Sequence, residues 1–181
     1  AGVSSFMGIT IIAGLVMQWP VGRLSDLYDR RTVLTLVFLG VAIVSAAMVV
    51  ALELHPGWTI LLACFYGGLS FTTYSLSVAH ACDFVDPKDL AKATGTFVFA
   101  YGIGAISGPI IAAAAMSHIG PEGLFLYAAA INVGLVAFAV YRMTRRKAKP
   151  KDLQGHFVGL PPTTSAVRAL DPRASPVISR S

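Results

Sequence analysis

Residues 32–52 read TVLTLVFLGVAIVSAAMVVAL, twenty-one residues without a single Lys, Arg, Asp or Glu. A hydrocarbon core about 30 Å thick is crossed by roughly 20 helical residues, so a stretch of this length and composition reads as a membrane span. Working outward, four more uncharged blocks lie at about 3–21, 58–81, 93–116 and 123–141. The absence of charge inside them has a physical reason: a Lys, Arg or Asp at a helix centre costs about 2.5–3.5 kcal/mol on the insertion scale. The chain is 55% hydrophobic and 13% charged, with a mean hydropathy of +0.70, which excludes an ordinary soluble domain. The predicted fold class is all-α, a polytopic transmembrane bundle of five helices over residues 1–143.

The charged residues sit between the blocks. A net charge of +5 can mark a nucleic-acid binder, but Arg142, Arg145, Arg146, Lys147, Lys149 and Lys151 crowd just behind the last block, where they act as a topology signal; no nucleic acid is expected as a partner. Arg23, Arg30 and Arg31 fall between the first two blocks and Lys88 and Lys92 between the third and fourth, while 53–57 and 117–122 hold no Lys or Arg. By the positive-inside rule the first and third links and the C-terminus are cytoplasmic in an inner membrane, and Ala1 lies outside. Residues 144–181, basic and then rich in Pro, Ser and Thr, have no apolar periodicity and are expected to form a largely disordered cytoplasmic tail. The chain opens on Ala1 with no basic-flanked signal segment, so further residues are expected upstream. Cys64 and Cys82 fall in one predicted helix, about 27 Å apart at 1.5 Å per residue, so they cannot pair with each other, and no zinc site or other metal site is implied.

The link GRLSDLYDRR, residues 22–31, mixes both signs of charge in a very short connection, which makes the flanking helices antiparallel neighbours. Gly22 lets two helix ends approach. Asp26 can accept hydrogen bonds from a helix N-terminus or an arginine, and Arg30 and Arg31 can bind carboxylates or lipid phosphates. The order Gly22, Leu24, Asp26, Arg30, Arg31 resembles the cytoplasmic-loop signature of the major facilitator superfamily, with Leu27 where a basic residue and Asp29 where a Gly is usual. Segments 18–23 (QWPVGR), 74–83 (YSLSVAHACD) and 101–109 (YGIGAISGP), with 160–162 (LPP) and 170–173 (LDPR) in the tail, are similar to the YcaD-like branch of that superfamily; Cys82 departs from an expected Asn. The resemblance implies a twelve-helix fold of two six-helix halves with a substrate cavity between them. This chain would supply helices eight to twelve, and its partners would be a small-molecule solute, the lipid bilayer and the missing N-terminal helices of the same protein. For Gly22, Arg23, Asp26, Arg30 and Arg31 two readings stand: a solvated, positive-inside turn, or a latch that holds the cytoplasmic side closed during alternating access.

In the third block Tyr66, Ser70, Thr73, Tyr74, Ser77 and His80 recur at spacings of three and four, so they share one side of a helix. Hydroxyls there either bond neighbouring carbonyls as interhelical glue or line a cavity; the resemblance favours the cavity, with Tyr101 of the fourth block a further candidate. His80 and Asp83, three positions apart near the cytoplasmic end, are candidates for proton coupling or a gate; the ordinary alternative is a solvated helix end. The fourth block carries Thr96, Ala100, Gly104, Gly108 and Ala112 at every fourth position, a small-residue surface for helix packing. Pro109 removes a helical hydrogen bond there, giving either a fixed kink or a hinge. Thr10, Gln18 and Asn132 are thinner candidates, and Trp19, Trp58, Tyr127 and Tyr141 suit interface anchors.

No nucleophile elbow, metal-ligand cluster or phosphate-binding loop is present in the sequence, so no enzyme and no cofactor is expected. The expected function is that of the C-terminal part of a secondary active transporter moving a small solute by alternating access, with the proton as coupling ion. The alternative is a short membrane scaffold that dimerises through its glycine-rich helix.

Overall fold

The computed structural model of the chain describes residues 3–54, 56–86 and 89–145. These form five helices, α1 (Val3–Leu27), α2 (Arg30–Leu54), α3 (Pro56–Cys82), α4 (Leu90–Ile119) and α5 (Gly123–Arg145), and no strand among the described residues. Each contains a segment long and apolar enough to cross a membrane: Met7–Leu27, Arg30–Ala51, Gly57–Cys82, Lys92–Ile119 and Gly123–Arg145. The predicted tail lies outside the described residues from 146 onward.

Helix α1 runs six residues past its apolar block, so most of the charged link predicted at 22–31 is helical and only Tyr28 and Asp29 separate α1 from α2. Charge excludes a residue from the hydrocarbon and not from a helix, and the cap does the rest: Asp29 Oδ1 accepts the backbone N–H of Arg31 at 3.0 Å, satisfying one of the orphan donors of the first turn of α2. Pro56 opens α3, where the missing N–H costs no helical bond. Gly120 ends α4 with φ +106° while its N–H bonds Met116 O at 2.9 Å, a left-handed conformation that suits glycine. At Gly123 a Cβ would lie 2.5 Å from Ala115 O, so the α4–α5 corner closes only because that side chain is hydrogen.

α2 is the most enclosed helix, flanked by α3 and α5; α3 also packs along α1, and α4 lies mainly along α5 and only grazes α3. Val33 and Val37 of α2 meet Leu76 of α3 in the core, with Val21, Leu34 and Leu69 around them. Apolar transfer from water does not drive contacts between helices already in lipid, so close van der Waals fit and internal hydrogen bonds must. The α1–α3 crossing answers that need: a Cβ on Gly67 would collide with Thr10, one on Gly68 would lie 2.9 Å from Met17 Cβ, and one on Gly14 would lie 2.6 Å from Phe71. Two of the buried hydroxyls are satisfied within their own helices: Ser45 Oγ donates to Val41 O at 2.7 Å and Thr72 Oγ1 to Gly68 O at 2.8 Å.

Candidate functional site at the charged end of the bundle

Antiparallel succession brings the end of α1, the start of α2 and the end of α3 to one end of the bundle. There Arg30, the first residue of α2, is only 2% exposed. Its Nη1 donates to Asp83 Oδ2 at 2.8 Å and to Ala79 O at 3.2 Å, and its Nε donates to Ser25 Oγ at 3.2 Å. Its Nη2 lies 3.7 Å from Asp26 Oδ1. One planar guanidinium thereby ties α1, α2 and the C-terminus of α3 together, a task for which its rigid fork of donors suits Arg and a lysine does not. A cation at the end of α3 is also favoured by the helix dipole.

The two carboxylates differ in weight. The Asp83 side chain is 5% exposed and close, whereas that of Asp26 is 35% exposed and nearly an ångström farther. Water screens the second pair and hardly reaches the first.

The remaining residues of the predicted latch go elsewhere. Gly22 is buried at the end of α1; Arg23 is exposed, its guanidinium 4.1 Å from the centre of the Trp19 ring; Arg31 lies over Phe84 at 5.5 Å. Of the predicted gate pair, Asp83 joins Arg30, while His80 meets Phe84 edge-on at 5.3 Å between ring centres.

The polar side of α3 is divided between neighbours. Tyr74 meets Tyr101 of α4 edge-on at 5.3 Å, and Tyr66 meets Phe125 of α5 at 6.4 Å. Ser70, Thr73 and Ser77 are half-buried, and Thr73 Oγ1 donates to Leu69 O at 3.0 Å. A separate cavity of about 440 Å³ opens between α2, α3 and α5, lined among others by Arg31, His80 and Arg142 and by none of Tyr66, Ser70, Thr73, Tyr74, Ser77 or Tyr101. On α4, a Cβ at Gly104 or Gly108 would meet nothing within 4 Å, so none of the described residues packs on that part of the small-residue stripe, which Pro109 adjoins.

Two features escaped the sequence reading. Ser25 is fully buried against Arg30, and the Arg30–Asp83 pair spans 53 positions of sequence. The pair had a signal: antiparallel α2 and α3 place an Arg and an Asp at the same end. Ser25 had none, since nothing in its spacing separates a buried hydroxyl from a solvated one.

The Major Facilitator Superfamily family model matches residues 1–177. The chain is 32% identical over 148 residues to an uncharacterized MFS-type transporter of Enterobacter sp. (strain 638), covering 82% of this chain and 36% of the relative. It is 29% identical over 150 residues to the uncharacterized MFS-type transporter YcaD of Escherichia fergusonii, covering 83% and 38%, and 30% identical over 132 residues to YcaD of Salmonella paratyphi B, covering 73% and 33%. The chain thus spans about a third of the length of the curated relatives it matches. No solved structure matches it. Five membrane-crossing helices, the charged link between α1 and α2 and a family match across nearly the whole sequence agree: this chain is a multi-pass membrane protein of the Major Facilitator Superfamily.

Proposed function

We infer that the chain is the C-terminal part of a secondary active transporter that moves a small solute across the cytoplasmic membrane by alternating access, with its C-terminus in the cytoplasm. The observation that carries this reading is the buried Arg30 with Asp83, Asp26, Ser25 and the Ala79 carbonyl. An ion pair at the junction of three helices holds one arrangement firmly and loses most of its value once the helices part, as a two-state gate requires. The names of the relatives, MFS-type transporters, support transport over an enzymatic role.

In this reading Arg30 and Asp83 form the latch, and Asp26 takes up the guanidinium as Asp83 withdraws. The half-buried hydroxyls of Ser70, Thr73 and Ser77, with Tyr74 and Tyr101 at the α3–α4 seam, form this chain's share of the solute cavity. The open stripe at Gly104 and Gly108 receives helices of the N-terminal half. His80, at the same end as the latch, is the titratable group through which a proton would act, since it is the side chain here whose ordinary pKa lies closest to neutrality.

The test uses native Cys82, half-buried beside Asp83, as a reporter, with Cys64 replaced by Ser. In inside-out vesicles carrying the full-length transporter, Arg30→Gln, which breaks the latch and leaves the carboxylate beside Cys82 in place, should raise the labelling rate of Cys82 by a membrane-impermeant maleimide about fivefold or more, as the cytoplasm-open state becomes populated. His80→Ala should leave that rate unchanged and abolish proton-linked uptake. A labelling rate that Arg30→Gln does not raise would rule out the latch.

A further inference from the structure

We propose that the cavity between α2, α3 and α5 is a binding site for an anionic diacyl phospholipid, with the headgroup phosphate held between Arg31 and Arg142 and an acyl chain laid along the apolar wall. Leu34 and Phe38 of α2 face Leu135 and Phe138 of α5 across a space of about 440 Å³, Arg31 and Arg142 border it, and no acidic side chain lines it. Arg31 is the second residue of α2, and Arg142 stands in the last turn of α5. Both therefore lie at the ends of membrane-crossing segments, at the depth of lipid phosphates, while the four apolar side chains lie farther along each helix toward the hydrocarbon.

Each arginine is braced by an aromatic ring, Arg31 over Phe84 at 5.5 Å and Arg142 over Phe138 at 5.8 Å. A guanidinium stacked on a ring keeps its donors in its own plane, the arrangement that meets phosphate oxygens. A site that is cationic at the headgroup depth and apolar below it matches the phosphate and the first stretch of an acyl chain of a phospholipid. Its two positive charges select against a choline headgroup, whose own cation they repel. This proposal does not depend on the transport reading.

The test places photoreactive p-benzoylphenylalanine at Phe138 of the full-length protein in nanodiscs that hold phosphatidylglycerol and phosphatidylcholine in equal amounts, followed by mass spectrometry of the cross-linked product. Phosphatidylglycerol should be captured about tenfold more than phosphatidylcholine, since two arginines contribute. The preference should vanish in Arg31→Gln/Arg142→Gln and persist in Lys92→Gln, which removes an exposed charge on α4. Because the double variant can misfold, the unsubstituted arginines are also tested against salt and against glycerol 3-phosphate: salt should weaken the preference, and the soluble phosphate should leave it unchanged. Equal capture of the two lipids, cross-linking to residues 146–181 or to another polypeptide, or displacement by glycerol 3-phosphate would each overturn the proposal.

Discussion

Replacing Asp83 with Leu removes the close, buried partner of Arg30 and leaves a guanidinium that is 2% exposed with Ser25, the Ala79 carbonyl and the more distant Asp26. Breaking one side of a buried ion pair typically costs about 3–5 kcal/mol, because the surviving charge stays desolvated. Arg30→Met alone should cost a similar amount by removing the cation that lies 2.8 Å from the Asp83 carboxylate, whose side chain is 5% exposed. The double variant Arg30→Met/Asp83→Leu replaces both charges with apolar groups and should return to within about 1 kcal/mol of the parent, a coupling of roughly 3 kcal/mol or more. Asp26→Asn should cost no more than about 1 kcal/mol, since its carboxylate is 35% exposed and 3.7 Å away. The assay is reversible unfolding of the purified protein in mixed micelles by added SDS, followed by circular dichroism. A cost below about 1 kcal/mol for Asp83→Leu, or a double variant as unstable as the sum of its parts, would refute the assignment of Arg30–Asp83 as the tie between these helices.

Two further predictions rest on other parts of the fold. Gly67→Ala should destabilise by about 1–3 kcal/mol in the same assay, because its Cβ would collide with Thr10 across the α1–α3 crossing, whereas Gly104→Ala, with nothing within 4 Å among the described residues, should leave α1–α5 unaffected. In the full-length protein, where the stripe is proposed to receive a helix of the N-terminal half, Gly104→Ala should itself destabilise, and no effect there would refute that packing. For orientation, cysteine at Asp86 should react with an impermeant maleimide only in inside-out vesicles and cysteine at Glu122 only in intact cells; the reverse pattern would turn the bundle over.

The sequence by itself determined that five helices cross a membrane, because an uncharged stretch as long as the hydrocarbon core has no cheaper place to go. It also determined which residues gather at each end, because charges lie outside the core and successive spans reverse direction. The motif at Gly22, Leu24, Asp26, Arg30 and Arg31 made the family legible. Where the helices stop was less legible: Arg23 to Leu27 are helical although charged and polar residues had marked them as a link, since the cue used was polarity, while helix ends are set by caps such as Asp29.

Tertiary structure decided the partnerships. Arg23, Arg30 and Arg31 look alike in sequence, yet the first lies over Trp19, the second is buried on Asp83 and the third lies over Phe84, because each leaves its helix at a different angle toward a different neighbour. Likewise the glycines conspicuous in α4 meet none of the described residues, and Gly67 and Gly68, which carried no periodic signal, lie tightly against α1. A helix's own sequence states which residues share its face. Only the placement of the other helices determines what that face meets, and so whether a small residue is a contact and whether a charge is a surface feature or a buried tie.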